Sequence, residues 1–334
     1  MPTSPPSRPV RVVLAAGLVV VLAVLATWWA TRDGEVDPQG VNRFRHHPQH
    51  LDPSPLLVAA AKQAGGDGDA RRNELLERLA GVPTATWLTP ERLPTPAEVG
   101  GEVDRVVAAA LAADAVPVLV VYGVPERDCT GGQSAGGLDP DAYLPWVEAV
   151  ADAAAAGPSV VVHEPDALAA AATCGGSGDR VEQLRGAVSA LRDAGVTTYV
   201  DAGHSAWLPV DETARLLREV GVGSVRGFTT NVSNYQPTDA ELAWAERVSQ
   251  ELGGAHYLVD TGRNGAATAA QADWCNPVGQ ALGQEPGYVD DGSGLDAFVW
   301  VKPPAESDGS CHGGPPAGQL WPDRAVELAE AAGW

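Results

Sequence analysis

Four aspartates, Asp128, Asp166, Asp201 and Asp308, each stand just past a different apolar run of the 334-residue chain. The sharpest case is SVVVHEPDAL, Ser159 to Leu168, where three valines give way at once to His163-Glu164-Pro165-Asp166. Pro165 lacks a backbone donor and biases Glu164 towards an extended shape, so stiff backbone aims the Asp166 carboxylate. If these groups meet in a poorly hydrated cleft they cannot all ionise freely, because like charges raise one another's pKa. One acid is then kept protonated near neutrality beside a partner that stays charged. Metal-assisted hydrolysis and glycoside hydrolysis both use such a set. Trp87, Trp207 and Trp274 share the same segments. A single tryptophan is ordinarily a core or interface ring, but three beside acids suit the apolar face of a sugar better than a metal.

The elements that position these residues follow from periodicity. β-rich runs at Ala85–Leu88, Val118–Tyr122, Ser159–His163, Thr198–Val200, Gly227–Thr230, Tyr257–Val259 and Ala297–Val301 alternate with stretches of helical period. The helices expected between them include Glu98–Ala113, Tyr143–Ala156, Arg180–Ala194, Asp211–Val220 and Asp239–Leu252. Continuously apolar strands are covered on both faces, which marks a parallel sheet with helices outside. Polar, charged and aromatic residues gather at the carboxyl end of every strand, where a β/α barrel builds its active site. No glycine-rich phosphate turn follows a strand, so a nucleotide enzyme is disfavoured. The expected fold is an α/β, TIM-like β/α barrel, distorted because it has seven strands.

Composition narrows the partners. Twenty-two basic against 43 acidic residues give a formal charge of −21, which argues against a nucleic-acid partner. Arg8 and Arg11 precede an apolar run over residues 12–30, with Arg32, Asp33, Glu35 and Asp37 after it. The run is long enough for a bilayer core, so a cytoplasmic stub (1–11), a signal anchor or signal peptide (12–30) and a linker (31–40) are expected. That segment would engage the membrane or the export machinery, and the remainder, residues 41–334, would be exported. Cys129, Cys174, Cys275 and Cys311 lie in that remainder and read as two disulfides, with three pairings open. No C-x-x-C spacing suggests zinc. His46, His47 and His50 lack cysteine or acid partners and read as solvated.

Seven motifs now stand in order: VVYGVPERDC, VVHEPDALA, YVDAGHSAWL, TTNVSNY, DTGRNG, DWCN and FVWVKPPAESDG. Together they closely resemble glycoside hydrolase family 6, the inverting cellulases, over about residues 41–334. The resemblance implies hydrolysis of β-1,4-glucan with Asp166 as general acid and Asp128 as the carboxylate that raises its pKa. Tyr122 would crowd the sugar at the cleavage point and Ser134 would hold the attacking water. Asp308 would be the base, directly or through a water chain. Asp201 and His204 would line the central subsites. Trp87, Trp207, Asn234, Trp274, Lys302 and Glu306 would bind sugar. The implied disulfides are Cys129–Cys174 and Cys275–Cys311, and neither a metal nor an organic cofactor is implied. An inverting enzyme needs about 6.5–9.5 Å between acid and base, which carboxylates from different strands can supply.

Departures from the family pattern are Gly123 and Glu126, where some members carry aspartates, and Val210, where some carry a further tryptophan. Two residues separate Asp308 from Cys311 and 44 separate Cys129 from Cys174. The family's cellobiohydrolases have long tunnel-forming insertions there, so these short loops imply an open groove. The expectation is a monomeric endoglucanase, with cellobiohydrolase action or a catalytically inactive membrane-anchored glucan-binding protein as alternatives. No separate cellulose-binding domain or long Pro/Thr linker is recognisable, which favours soluble or amorphous substrate.

Overall fold

Short β-branched runs set the strands, because side chains stiff at χ1 fit a pleated surface packed on both faces. The computed structural model describes Met1, Asp37 and residues 39–52, 55–64, 70–130, 132–172, 177–266 and 274–334. The chain forms two units, Met1–Asp37 and Pro38–Trp334, and every described strand belongs to the second. The apolar segment 12–30 and Cys174 lie outside the described residues. Among the described residues no helix is long and apolar enough to cross a membrane.

The strands are β1 (Thr86–Leu88), β2 (Val118–Val121), β3 (Val160–His163), β4 (Thr197–Asp201), β5 (Gly227–Thr230), β6 (His256–Asp260), β7 (Gly287–Tyr288) and β8 (Leu295–Val299). Their order in one sheet is β1-β2-β3-β4-β5-β6-β8-β7. Seven strands run parallel, as the sequence implies. The eighth, β7, is a two-residue antiparallel edge on β8. Gly287-Tyr288 is too short to show a period, and so escapes sequence reading.

Alternate residues face opposite layers, as a period of two requires. Val118, Val120, Val160, Val162, Tyr199, Leu258, Ala297 and Val299 form one buried cluster, while Leu119, Val121, Val161, Val200, Phe228 and Val259 pack with the helices. The first cluster unites β2 with β8, near opposite ends of the strand order, so the sheet curls around it. At the seam, Ala85 N–H donates to Trp300 O at 3.0 Å. The result is a distorted β/α barrel.

Helix signals are local. The helix Pro96–Ala112 begins with a capping box, in which Thr95 and Glu98 satisfy each other's backbone N–H groups, and has proline in its first turn. It buries Val99, Val103, Val106, Val107 and Ala110, a single face at helical spacing.

The amino-terminal end of the barrel is closed structurally. Phe44 is buried in the interior cluster, and Arg43 Nε donates to Thr197 Oγ1 at 3.0 Å. Arg226 forks onto Asp296 with two bonds of 2.8 Å. His50 also lies here. It is buried, its N–H donating to Val116 O at 2.7 Å, which corrects the expectation that it is solvated. His47 pairs with Asp114 at 3.0 Å, and His46 is exposed. The bridge of Gln49 to Val116 draws this segment against the strand end.

Candidate active site

Parallel register decides which residues surface together. Val121, His163 and Val200 are level, so Tyr122, Glu164 and Asp201 form the next tier at the carboxyl end. Nine of the ten non-glycine residues with left-handed φ among the described residues lie in the loops leaving these ends, Asp128 (57°) and Asp166 (67°) among them. Strained backbone of this kind concentrates where side chains must be aimed. The loops enclose a cleft of about 1820 Å³.

Asp166 lines that cleft. Its Oδ1 is buried and has no hydrogen-bond partner among the described residues. Burial, and then the charges of Asp201, Asp128 and Asp308, push its carboxyl well above the ordinary 3.8. The donors nearby go to Asp201 instead, whose Oδ1 accepts the N–H groups of Asp166 and Gly203, both at 2.9 Å. Thr229 Oγ1 donates to the other oxygen at 3.2 Å. Burial pushes Asp201 up to about 7 against these bonds. Asp201 is fully buried and absent from the cleft wall. The expectation that it lines a subsite is therefore corrected: its oxygens are occupied from behind, and it positions Asp166.

Pro165 does not hold Glu164 extended. Glu164 has φ 49°, because its N–H donates to Val121 O and its buried carboxylate accepts the N–H of Gly123 at 2.9 Å. Burial first, opposed by its hydrogen bonds, leaves that carboxyl at about 7.

Asp128 accepts the Tyr122 hydroxyl at 3.2 Å. Burial and neighbouring carboxylates keep that phenol well above its ordinary pKa, so it remains a donor. Arg127, itself buried, ties this corner together. Its guanidinium donates to Tyr122 O at 2.6 Å, Ser134 O at 2.8 Å and Glu91 Oε1 at 2.8 Å, and lies 4.2 Å above the Tyr122 ring. Ser134 is thus fixed through its carbonyl.

Asp308 has the opposite environment from Asp166. Burial would raise it, but Arg263, Lys302, Tyr235 and Asn276 hold it below the ordinary 3.8. Arg263 Nη1 lies 2.7 Å from Oδ1, while the Tyr235 hydroxyl and Asn276 N–H reach Oδ2 at 2.6 and 3.0 Å. Asn276 is secured by the Cys275–Cys311 disulfide beside it. Cys129 is also disulfide-bonded, its expected partner Cys174 lying outside the described residues.

The expected sugar-binding side chains share the cleft. Trp87 sits edge-on to Tyr122 at 5.0 Å, with Lys302 Nζ 5.6 Å from its ring and Glu306 3.6 Å from that ammonium. Across the mouth His204 and Trp207 pack at 5.4 Å; burial lowers His204 to about 4, so its ring is neutral. Asn234 lines the same wall, and Trp274 is 51% exposed, an aromatic face presented to solvent.

Residues 44–332 match the model of the family described as Glycosyl hydrolases family 6. The chain belongs to that family. It is 44% identical to Endoglucanase A of Cellulomonas fimi, over 85% of this chain and 61% of that one. It is 32% identical to the 1,4-beta-D-glucan cellobiohydrolase CEL6B of Podospora anserina, over 64% of this chain and 63% of that one. The chain thus spans less than two thirds of the length of these relatives. Among solved structures, the endoglucanase Cel6 of Mycobacterium tuberculosis, in complex with methyl-cellobiosyl-4-deoxy-4-thio-β-D-cellobioside, aligns with TM-score 0.81 at 41% identity. That match covers 88% of this chain and all of the other.

The family 6 site also uses residues that sequence reasoning passed over. Arg127, Tyr235, Arg263 and Asn276 lie inside the ordered motifs; Arg127, Tyr235 and Asn276 each adjoin a residue singled out, whereas Arg263 had only its place in DTGRNG as a signal. Asp260, on β6, accepts the N–H groups of Gly262, Ser233 and Lys302 at 3.0–3.1 Å and so ties three loops. Glu91 lies outside every motif and carries no signal.

Proposed function

We propose that this family 6 chain hydrolyses internal β-1,4-glucosidic bonds of cellulose or related β-glucans with inversion at the anomeric carbon. The observation that carries the reading is the contrast between two carboxyl groups of one cleft: Asp166 raised, its Oδ1 without a partner among the described residues, and Asp308 depressed and paired. Environments that push two titratable groups apart assign acid and base roles. Asp166 gives its proton to the leaving oxygen. Asp128, whose charge helps raise Asp166, and Tyr122, which donates to it, act at the cleavage point. Asp308 is a weak base with both oxygens engaged, which favours proton removal through a water held by Ser134 over direct abstraction. Trp87, Trp207 and Trp274 supply stacking faces along the cleft. None of these steps calls for a metal or cofactor.

Action on internal bonds is supported by the short loops before Cys311 and after Cys129, together with the endoglucanases among the relatives. The test is product analysis on carboxymethylcellulose. Rapid viscosity loss and α-anomeric products are expected. Cellobiose release with little viscosity loss would indicate a cellobiohydrolase instead, and hydrolysis surviving Asp166→Ala at near wild-type rate would refute the acid assignment. Full activity after exhaustive chelation is expected; loss restored by one particular metal would contradict it. For location we propose export through residues 12–30, supported by their charge-flanked apolar run and by cysteine usage. Proteolysis of intact cells that leaves the protein untouched would overturn this.

A further inference from the structure

His204 and Trp207 line the cleft, but Ser205 between them is absent from its wall. Ser205 is tied instead to Glu241, in the first turn of the helix Thr238–Glu251. Glu241 is fully buried and lies outside the seven motifs. Its Oε1 accepts the Ser205 N–H at 2.9 Å, and the Ser205 hydroxyl bonds to the same carboxyl. Its Oε2 meets Thr230 Oγ1, which also lies 3.1 Å from Gly203 O.

Both contacts bear on one turn. Trp207 N–H donates to His204 O at 2.9 Å. The Trp207 ring rests on Gly203, where a built Cβ would fall 3.2 Å from its Cε3. Adjacent residues of β5 point to opposite layers. Thr229 turns inward to Asp201, and Thr230 outward to Glu241. The acid's corner therefore keeps its own bonds, from the N–H groups of Asp166 and Gly203 to Asp201. Glu241 holds the neighbouring sugar wall from outside the barrel. The Thr230 hydroxyl has one proton for two acceptors. A protonated Glu241 supplies the second, and burial raises this carboxyl against the bonds it accepts.

We propose that Glu241 is a positioning residue for sugar binding: through Ser205 and Thr230 it fixes the turn that presents His204 and Trp207 to the glucan. The inference rests on the proposed action on β-glucan. Glu241 acts on affinity rather than on proton transfer, because neither of its contacts is made to Asp166, Asp128 or Asp308.

Cellotetraose kinetics on the full chain test this. Glu241→Met fills the space without either bond. It should raise KM about tenfold and change kcat by less than about threefold. Glu241→Gln can accept from Ser205 and donate to Thr230, as the protonated acid does, and should keep KM within about twofold of wild type. In a Trp207→Ala background, Glu241→Met should add about threefold or less to KM, because the ring it positions is gone. A folded Glu241→Met with KM unchanged, a fall in kcat alone, or the full tenfold surviving without Trp207 overturns the proposal. Should Glu241→Met not fold, Thr230→Val removes one arm and should raise KM about threefold; no rise overturns the proposal equally. Calorimetric titration of cellotetraose into Asp166→Asn chains separates this inference from the reading it rests on. Binding about tenfold weaker with Glu241→Met supports the positioning role, and equal binding overturns it. Wild type unable to cut cellotetraose would defeat the reading of hydrolysis alone.

Discussion

Asp166 donates its backbone N–H to Asp201 Oδ1 at 2.9 Å while its own Oδ1 is left without a partner among the described residues. This division suits proton donation. Donors aimed at a carboxylate stabilise the anion and lower its pKa. Here they converge on the buried neighbour, which fixes the Asp166 backbone and repels charge on its side chain. The left-handed turn at Asp166, φ 67°, is what lets N–H and carboxyl serve different ends.

Asp128 adds its charge to the same acid, so Asp128→Asn should lower the pKa of Asp166. Catalysis needs the protonated form, and activity is lost as pH rises through that pKa. The alkaline limb of kcat/KM should therefore move to lower pH by about one unit, with kcat down about 10–100-fold. A limb that stayed in place would remove Asp128 from this role.

Arg263→Met would leave Asp308 buried without its closest counter-charge. A loss of about 3 kcal/mol in stability is expected near neutral pH, together with reduced kcat. The sign of the pH effect should reverse. In the wild type the carboxyl sits below its ordinary 3.8, so its contribution is complete above that pH and lost as pH falls through the depressed value. In the variant burial would dominate and raise the carboxyl, and stability would decline with rising pH instead. Parallel denaturant titrations at pH 4 and 7 would decide it.

The strand-end position of Asp166 was legible because an apolar run that gives way at once to carboxylates is an informative local pattern, and those of Asp128 and Asp308 because each is carried on the polar loop after such a run. The parallel barrel was legible for the same reason, since each valine-rich run carries its own burial signal. What could not be read was the destination of each polar atom. Asp201 looks like Asp166 in the sequence, yet one turns behind the other. Glu91, which Arg127 reaches, and Asp308 and Ser233, which Arg263 reaches, lie on other loops that only the closed barrel brings near. Glu164 breaks the expectation set by Pro165 because a buried carboxylate reaching Gly123 outweighs a local steric preference.

Glu164 offers a test on stability. Its carboxyl lies at about 7 in the folded protein against an ordinary 4.5. The folded state thus keeps a proton that the unfolded chain releases, and stability falls as pH rises between those values. Glu164→Gln can still accept the Gly123 N–H without carrying a charge. Relative to wild type it should gain up to about 3 kcal/mol between pH 5 and pH 8, read as a pH-dependent difference in Tm. An offset equal at both pH values would mean the group is not raised.

Arg127→Lys isolates the positioning of the serine. The guanidinium fork serves three acceptors at once, the carbonyls of Tyr122 and Ser134 and the carboxylate of Glu91, while covering the Tyr122 ring. Lysine keeps the charge but offers a point donor in place of a planar fork, so at most part of this set can be held. Trp87, Trp207 and Trp274 lie outside the set and should still bind sugar. The expected outcome on cellotetraose is therefore a kcat lower by about 10–100-fold with KM changed by less than about threefold. Glu91→Gln, which weakens one arm, should lose less than about tenfold in kcat. A rise in KM with kcat preserved would show that Arg127 serves sugar binding rather than the placement of Ser134.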